Sequence, residues 1–77
     1  MGASMSAARA LFAVVTALHK ARLEKGLTLE AVASRVGVTA QALDQWERRQ
    51  VMPKLENFFG WARALGMTFK VTSGDEK

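Results

Sequence analysis

The stretch from Thr28 to Glu47, TLEAVASRVGVTAQALDQWE, decides the fold of this chain. Its first part repeats apolar residues at i, i+3, i+4 and i+7, the inner face of an amphipathic helix: Leu29, Val32, Ala33 and Val36. Gly37 then supplies the positive φ of a tight turn. Thr39 follows two residues later and can cap a second helix. The stretch therefore predicts two short helices that are joined by a turn.

The second of these helices is predicted from Ala40 to Arg48 and has two unlike faces. Leu43 and Trp46 point inward. The opposite face carries long polar side chains at i, i+4 and i+7: Gln41, Gln45 and Arg48. So short a connection makes the two helices cross steeply, as in a helix-turn-helix motif. This face is a candidate for insertion into a DNA groove, and an ordinary solvated helix face is the alternative.

A long first helix is predicted before this stretch, from Ser6 to Lys25, because the segment is rich in alanine and lacks proline and glycine. Its buried stripe consists of Leu11, Val14, Val15, Leu18 and Ala21. Arg22 extends the stripe, and Gly26 ends the helix. Residues 1–5 are expected to be a disordered tail or a cloning remnant, and residues 6–66 to form the domain.

Pro53 is predicted to open a fourth helix, which Gly66 ends. Gly60 costs about 1 kcal/mol against alanine inside a helix, so we expect a close contact there. Beyond Gly66 the apolar period changes to two, which predicts a strand over residues 67–72, with Met67, Phe69 and Val71 on one side. A lone strand leaves its backbone unpaired, so we predict that it pairs with the same strand of a second chain. Residues 73–77 are expected to be disordered.

Composition excludes several classes of protein. The chain has 77 residues, a net charge of +4 and no cysteine, so it forms one domain without disulfides and favours a polyanion as partner. Its single histidine, His19, offers no metal site, and no catalytic constellation or cofactor motif is present. The apolar segment Ala8–Leu18 is too short for a bilayer, which needs about 20 residues. We expect a cytoplasmic protein that is not an enzyme and does not contact membranes.

The spacing of key residues resembles that of the lambda-repressor-like (XRE-type) helix-turn-helix domains of phage Cro and repressor proteins: Arg22, Gly26, Thr28, Ala33, Gly37, Leu43, Glu47, Pro53 and Leu65-Gly66. The resemblance covers about Val14 to Gly66. The ending NFFGWARALGMTFKV is similar to that of HipB-like antitoxin regulators, in which the last strand pairs between subunits. The resemblance implies an all-α fold of four to five helices with one C-terminal strand that pairs across a dimer.

Roles for individual residues follow from the resemblance. It implies that Arg22 and Glu47 form a buried ion pair, which would explain an arginine on an apolar stripe. Base contacts are implied for the start of the third helix: Thr39, Ala40, Gln41, Ala42 and Gln45. Glutamine can bind adenine N6 and N7, and alanine can touch a thymine methyl group. Phosphate contacts are expected from Thr28, Arg48, Arg49 and Lys54.

Three positions depart from the family pattern. Leu29 stands where a phosphate-contacting glutamine is common, so that contact is lost. Arg49 stands where a glycine usually follows the buried glutamate, so the turn differs and gains a candidate phosphate contact. Ala40 replaces a residue that commonly reads a base, which implies that this protein reads fewer bases in its DNA site.

The expected function is sequence-specific binding of double-stranded DNA in the major groove by a homodimer on an inverted repeat. The outcome would be transcriptional repression, including that of its own promoter, in the cytoplasm of a bacterium or as a phage protein. The alternative is an antitoxin or interaction module whose main partner is a toxin or another protein. Phe12, which lies off the main apolar stripe, would suit such a contact.

Overall fold

Four helices make up the part of the chain that the computed structural model describes, residues 2–70, with side chains from residue 7 onward. In chain order they are α1 (Gly2–Glu24), α2 (Leu29–Val36), α3 (Ala40–Glu47) and α4 (Leu55–Ala64). Residues 2–70 contain no strand, and the predicted all-helical class is confirmed. Among these residues, no helix is long and apolar enough to cross a membrane.

α2 and α3 begin with the same capping interaction. The hydroxyl oxygen of Thr28 accepts a hydrogen bond from the backbone N–H of Ala31 at 3.0 Å. Thr39 does the same for the N–H of Ala42, also at 3.0 Å. Each threonine has extended backbone angles and satisfies an N–H group that has no partner within the helix. These local bonds fix where both helices of the motif start.

The helix ends share a left-handed residue just beyond the last turn. Between α2 and α3 this residue is Gly37, with φ +90°, and the N–H of Val38 bonds to the carbonyl of Ala33 at 3.0 Å. α1 and α4 end in the same way. At the end of α3, however, the left-handed residue is Arg49, with φ +61°. The chain thus places an arginine in a conformation that glycine adopts without strain.

The core is one cluster in which all four helices take part. Its buried members are Val15, Leu18, Val32, Ala33, Leu43, Trp46, Phe58, Trp61, Ala62 and Leu65. Trp61 is fully buried, and its ring lies 5.6 Å from that of Trp46 and 5.9 Å from that of Phe58, measured between centroids. α2 packs against both α3 and α4, while α1 packs against α3. The motif α2–α3 is therefore clamped between the other two helices.

Two helix starts differ from those predicted. α1 begins at Gly2 and so includes residues 2–5, which were expected to form a tail; no proline interrupts this segment, and alanine favours its helix. α4 begins at Leu55, so the prediction that Pro53 opens it is wrong. Lys54 is the N-cap and has an extended ψ of 157°, which keeps the helix from starting earlier. α3 ends at Glu47, with Arg48 as its C-cap.

The contact of Gly60 is looser than expected. A β-carbon built on Gly60 would lie 3.6 Å from Val36 Cγ1, an ordinary van der Waals distance. α2 and α4 do pass close to each other here, but the gap has room for a methyl group.

In the segment after α4, half-buried and exposed residues alternate, as the sequence pattern predicted. Met67 and Phe69 are half-buried against the core, whereas Thr68 and Lys70 are exposed. Residues 67–70 are neither helix nor strand. A strand requires a second backbone beside it, and the single chain offers none over these residues. The rest of the predicted strand, including Val71, and the tail 73–77 lie outside the described residues.

Candidate nucleic-acid interface

α3 separates its apolar and polar side chains as the sequence predicted. Leu43 is fully buried and Trp46 is 5 % exposed, so both anchor the helix to the core. On the other side, Gln41 is exposed and Gln45 is half-buried. The anchored face prevents rotation of α3, and its opposite face presents two amide groups one helical turn apart.

The first turn of α3 combines capping with small side chains. Thr39 is exposed; its oxygen accepts the N–H of Ala42, and its hydroxyl hydrogen remains free to donate. Ala40 is half-buried and packs against the core, so only part of its methyl group faces outward. Ala42 is also half-buried. Small side chains at this end let the backbone of α3 approach a flat surface closely.

Arg48 is not a free cation. Its Nε lies 3.1 Å from both carboxylate oxygens of Asp44, one turn earlier. Both side chains are exposed, so solvent screens the pair and its net stabilisation is a few tenths of a kcal/mol. A polyanion can therefore draw Arg48 away from Asp44 at little cost.

Arg22 and Glu47 form an ion pair between α1 and the end of α3. Arg22 Nε donates to Glu47 Oε2 at 2.8 Å, and a second guanidinium nitrogen donates to Oε1 at 3.0 Å. A third N–H bond from Arg22 reaches the carbonyl of Leu27 at 2.9 Å. The hydrogen bond to Glu47 raises the pKa of Arg22, although burial opposes this. The pair holds the C-terminal end of α3 against α1.

His19 joins the same carboxylate, which the sequence reasoning missed. Its Nδ1 lies 2.8 Å from Glu47 Oε1. Because a carboxylate only accepts, Nδ1 carries the hydrogen in this contact. The available signal was that His19 precedes Arg22 by three residues, which places both on one face of α1.

Arg49 lies in the loop after α3 and reaches back towards α1. Its guanidinium carbon is 5.0 Å from the centre of the Phe12 ring, a cation–π contact. Its backbone N–H bonds to the carbonyl of Trp46 at 3.0 Å, and the N–H of Gln50 bonds to that of Gln45 at 2.9 Å. Both bonds close the end of α3, and the second of them depends on the left-handed angles of Arg49.

The remaining expected phosphate contacts lie at helix starts. Thr28 is exposed and caps α2, and Lys54 is exposed at the N-cap of α4, where it makes no side-chain capping bond. A helix start directs unpaired backbone N–H groups outward, which suits a phosphate oxygen. The phosphate contacts of Thr28 and Lys54 stay predictions.

An open cavity of about 530 Å³ is lined by Arg35, Gly60, Arg63 and Ala64. Arg35 donates to the carbonyl of Ala64 at 3.1 Å, and Arg63 lies in the last turn of α4. Both arginines therefore stabilise the negative end of the helix dipole. No group of three potential metal ligands occurs in the described part of the chain.

Comparison with known proteins agrees with this geometry. A family model described as helix-turn-helix, HTH_3, matches residues 18–71. The match includes all of α2, α3 and α4, while residues 2–17, the first part of α1, lie outside it. No curated protein and no solved structure matches the chain. The narrower resemblance to HipB-like regulators stays a prediction.

Proposed function

The chain belongs to the XRE-type helix-turn-helix family of DNA-binding transcriptional regulators, and from this premise we propose that it is a repressor that binds an inverted-repeat operator as a homodimer. The main support for this proposal is the way α3 is held in place. Its inner face is anchored by Leu43 and Trp46, and its C-terminal end is held by the ion pair between Arg22 and Glu47. A helix fixed at both places can present side chains to base pairs with little loss of entropy.

Base recognition is assigned to the exposed side of α3. Gln41 and Gln45 carry amide groups that can bind the N6 and N7 edge of adenine in the major groove. The methyl groups of Ala40 and Ala42 can contact thymine, and the Thr39 hydroxyl can donate to a base or a phosphate oxygen. The exposure of Gln41 and the cap made by Thr39 support this assignment.

Phosphate contacts would set the register of α3 on the duplex. We assign them to Thr28 and Lys54 at two helix starts, and to Arg48 and Arg49 after α3. Such contacts carry no sequence information but supply much of the affinity. They would also make binding fall steeply with salt, because each neutralised phosphate releases counterions.

The dimer is assigned to residues 67–72, which would pair with their equivalents across a two-fold axis. The alternating burial of Met67 and Phe69 with exposed Thr68 and Lys70 supports this part of the proposal. Two copies of α3 would then enter successive major grooves about 34–36 Å apart. An operator with two-fold symmetry is the expected consequence, as is a location in the bacterial or phage-infected cytoplasm.

Selection of bound sequences from random duplex DNA at physiological salt tests the function. We expect an enriched palindrome whose half-sites are one helical turn apart. Recovery of no motif would contradict sequence-specific binding. The double variant Gln41→Ala/Gln45→Ala should lose the motif, whereas Gln50→Ala, which removes an exposed glutamine of the loop after α3, should keep it.

A protein-interaction module is the second candidate, favoured by exposed aromatic side chains at Phe12 and Phe59. An antitoxin of this kind would bind a toxin through such a surface. Salt separates the two functions: DNA binding through about six phosphate contacts weakens steeply as salt rises, while an apolar protein contact does not.

A further inference from the structure

Phe12 lies on the face of α1 that is turned towards the end of α3. Its ring receives the guanidinium of Arg49, whose central carbon lies 5.0 Å from the ring centre. Further along α1, His19 contacts Glu47, the last residue of α3. The spacing from Phe12 to His19 is about two helical turns, so the two residues share one side of α1. One face of α1 therefore contacts both the end of α3 and the loop that follows it.

The hydrophobic core does not account for Phe12. The side chain is 43 % exposed, and it belongs neither to the buried cluster nor to the apolar residues that pack against that cluster. Phe12 also lies outside residues 18–71, so the family match assigns it no role. Its contact with Arg49 therefore calls for an explanation other than the stability of the core.

Arg49 is an exposed cation in an unfavourable backbone conformation. Its φ of +61° is one that residues with a side chain rarely adopt, and such outliers are common at functional sites. Within residues 7–70, its guanidinium forms no ion pair with a carboxylate. The end of α3 thus carries two adjacent cations, of which Arg48 pairs with Asp44 and Arg49 stacks on Phe12.

We propose that Phe12 positions Arg49 for a contact with a DNA phosphate. Stacking uses the face of the guanidinium, whereas its N–H donors point outward in the plane of the group. A phosphate oxygen can therefore accept hydrogen bonds from a guanidinium that already lies against the ring. An arginine side chain held in this way also loses less conformational entropy when DNA binds. This role of Phe12 rests on the proposed function, in which Arg49 contacts the phosphate backbone.

The anchoring of α1 makes Phe12 a fixed support for Arg49. Arg22 holds α1 to Glu47 through hydrogen bonds of 2.8 and 3.0 Å. Val15, one turn after Phe12, is buried in the core. Because α1 is held on both sides of its middle, the ring of Phe12 keeps its place beside the loop after α3. The first part of α1 thereby becomes an indirect part of the DNA interface.

Anisotropy titration of a labelled mixed-sequence DNA duplex at low salt tests this role, because phosphate contacts do not depend on base sequence. Phe12→Leu keeps an apolar side chain but removes the aromatic face, and we expect it to weaken binding about threefold per bound chain. Phe12→Tyr retains the face and should bind as the wild type does. Phe59→Leu is the matched control, because Phe59 is a similarly exposed phenylalanine of α4, and it should leave binding unchanged.

The same substitution in an Arg49→Gly background separates positioning from a structural effect. Glycine suits the left-handed turn at this position, so the background keeps the loop and lacks the cation. Phe12→Leu should then leave the affinity unchanged, since no guanidinium remains to be positioned. A purely structural effect of Phe12 would instead weaken binding equally in both backgrounds. Thermal melting followed by circular dichroism verifies that the variants fold, and Phe12→Met replaces Phe12→Leu if the latter does not.

Several results would overturn the role of Phe12. These are unchanged or tighter binding by Phe12→Leu, a loss that Phe12→Tyr or Phe59→Leu matches, and an equal loss in the Arg49→Gly background. Tighter binding would mean that the ring keeps Arg49 away from DNA. A wild-type chain that binds no duplex would overturn the proposed function as well, so the two failures are distinguishable.

Discussion

Arg22 and Glu47, 25 residues apart in the chain, are joined by two parallel hydrogen bonds of 2.8 and 3.0 Å. The Glu47 side chain is 4 % exposed, and that of Arg22 is 12 % exposed. The pair is therefore shielded from solvent and connects α1 to the last turn of α3. Its geometry is that of a bidentate guanidinium–carboxylate contact, which lysine cannot reproduce.

Removal of this arginine should be strongly destabilising. Arg22→Ala leaves a buried carboxylate whose remaining partner is His19, and we expect a loss of about 3–5 kcal/mol in the free energy of unfolding. Urea unfolding followed by tryptophan fluorescence measures it. Arg48→Ala is the control, because its pair with Asp44 is exposed and should contribute a few tenths of a kcal/mol. Equal effects of the two variants would disprove a structural role for the Arg22–Glu47 pair.

Gly60→Ala should stabilise the protein. Gly60 lies inside α4 with room for a methyl group, so alanine gains about 0.5–1 kcal/mol of helix propensity. Gly37→Ala is the contrast, because φ +90° there disfavours any side chain and should cost about 1 kcal/mol or more. Thermal and urea unfolding of the two variants should shift in opposite directions. A destabilised Gly60→Ala would mean that α2 and α4 approach more closely than the structure has them.

Arg49→Gly should be more stable than Arg49→Ala. Both variants lose the contact with Phe12, but only alanine keeps a β-carbon at φ +61°. The difference should be about 1 kcal/mol in favour of glycine. Urea unfolding of both variants measures this difference, which reports only the cost of a β-carbon in the left-handed conformation because both variants lose the contact with Phe12. If the two are equally stable, the turn after α3 relaxes out of the left-handed region when the arginine is removed.

Gln41→Ala and Gln45→Ala should each cost about 1–3 kcal/mol of affinity at particular base pairs and leave nonspecific binding almost unchanged. The selected operator and its single-base variants, titrated by fluorescence anisotropy, give this comparison. Gln50→Ala should bind all of these sequences as the wild type does. A uniform loss across sequences would instead make the glutamines backbone contacts.

Lys54→Ala should weaken binding to all sequences by a similar factor and lower the slope of log K against log salt by about 1. Lys20→Ala removes an exposed lysine of α1, where no DNA contact is expected, and should leave the slope unchanged. Titrations at several salt concentrations provide both slopes. An unchanged slope for Lys54→Ala would remove this residue from the set of phosphate contacts.

The local elements could be predicted from the sequence because their causes lie within a few residues of each other. The hydroxyl oxygens of Thr28 and Thr39 each accept a hydrogen bond from the backbone N–H three residues later in the chain. Gly37 and Gly66 occupy left-handed positions that follow from the end of an apolar period. The start of α4 could not be placed correctly, since proline is compatible with the first helical turn and with the residues before it.

The amino-acid sequence by itself determined the four helices, the turn between α2 and α3, and the inward and outward faces of α3, because capping, glycine placement and apolar periodicity act over one or two turns. It also implied the Arg22–Glu47 pair, but only through resemblance to a family. Tertiary structure alone decided that His19 joins this pair through Glu47, and that Arg49 contacts Phe12. It also decided that Leu11 and Val14 of α1 lie beside Leu55, Phe58 and Phe59 of α4. These contacts join residues far apart in the chain, and they depend on the angles at which the packed core sets one helix against another.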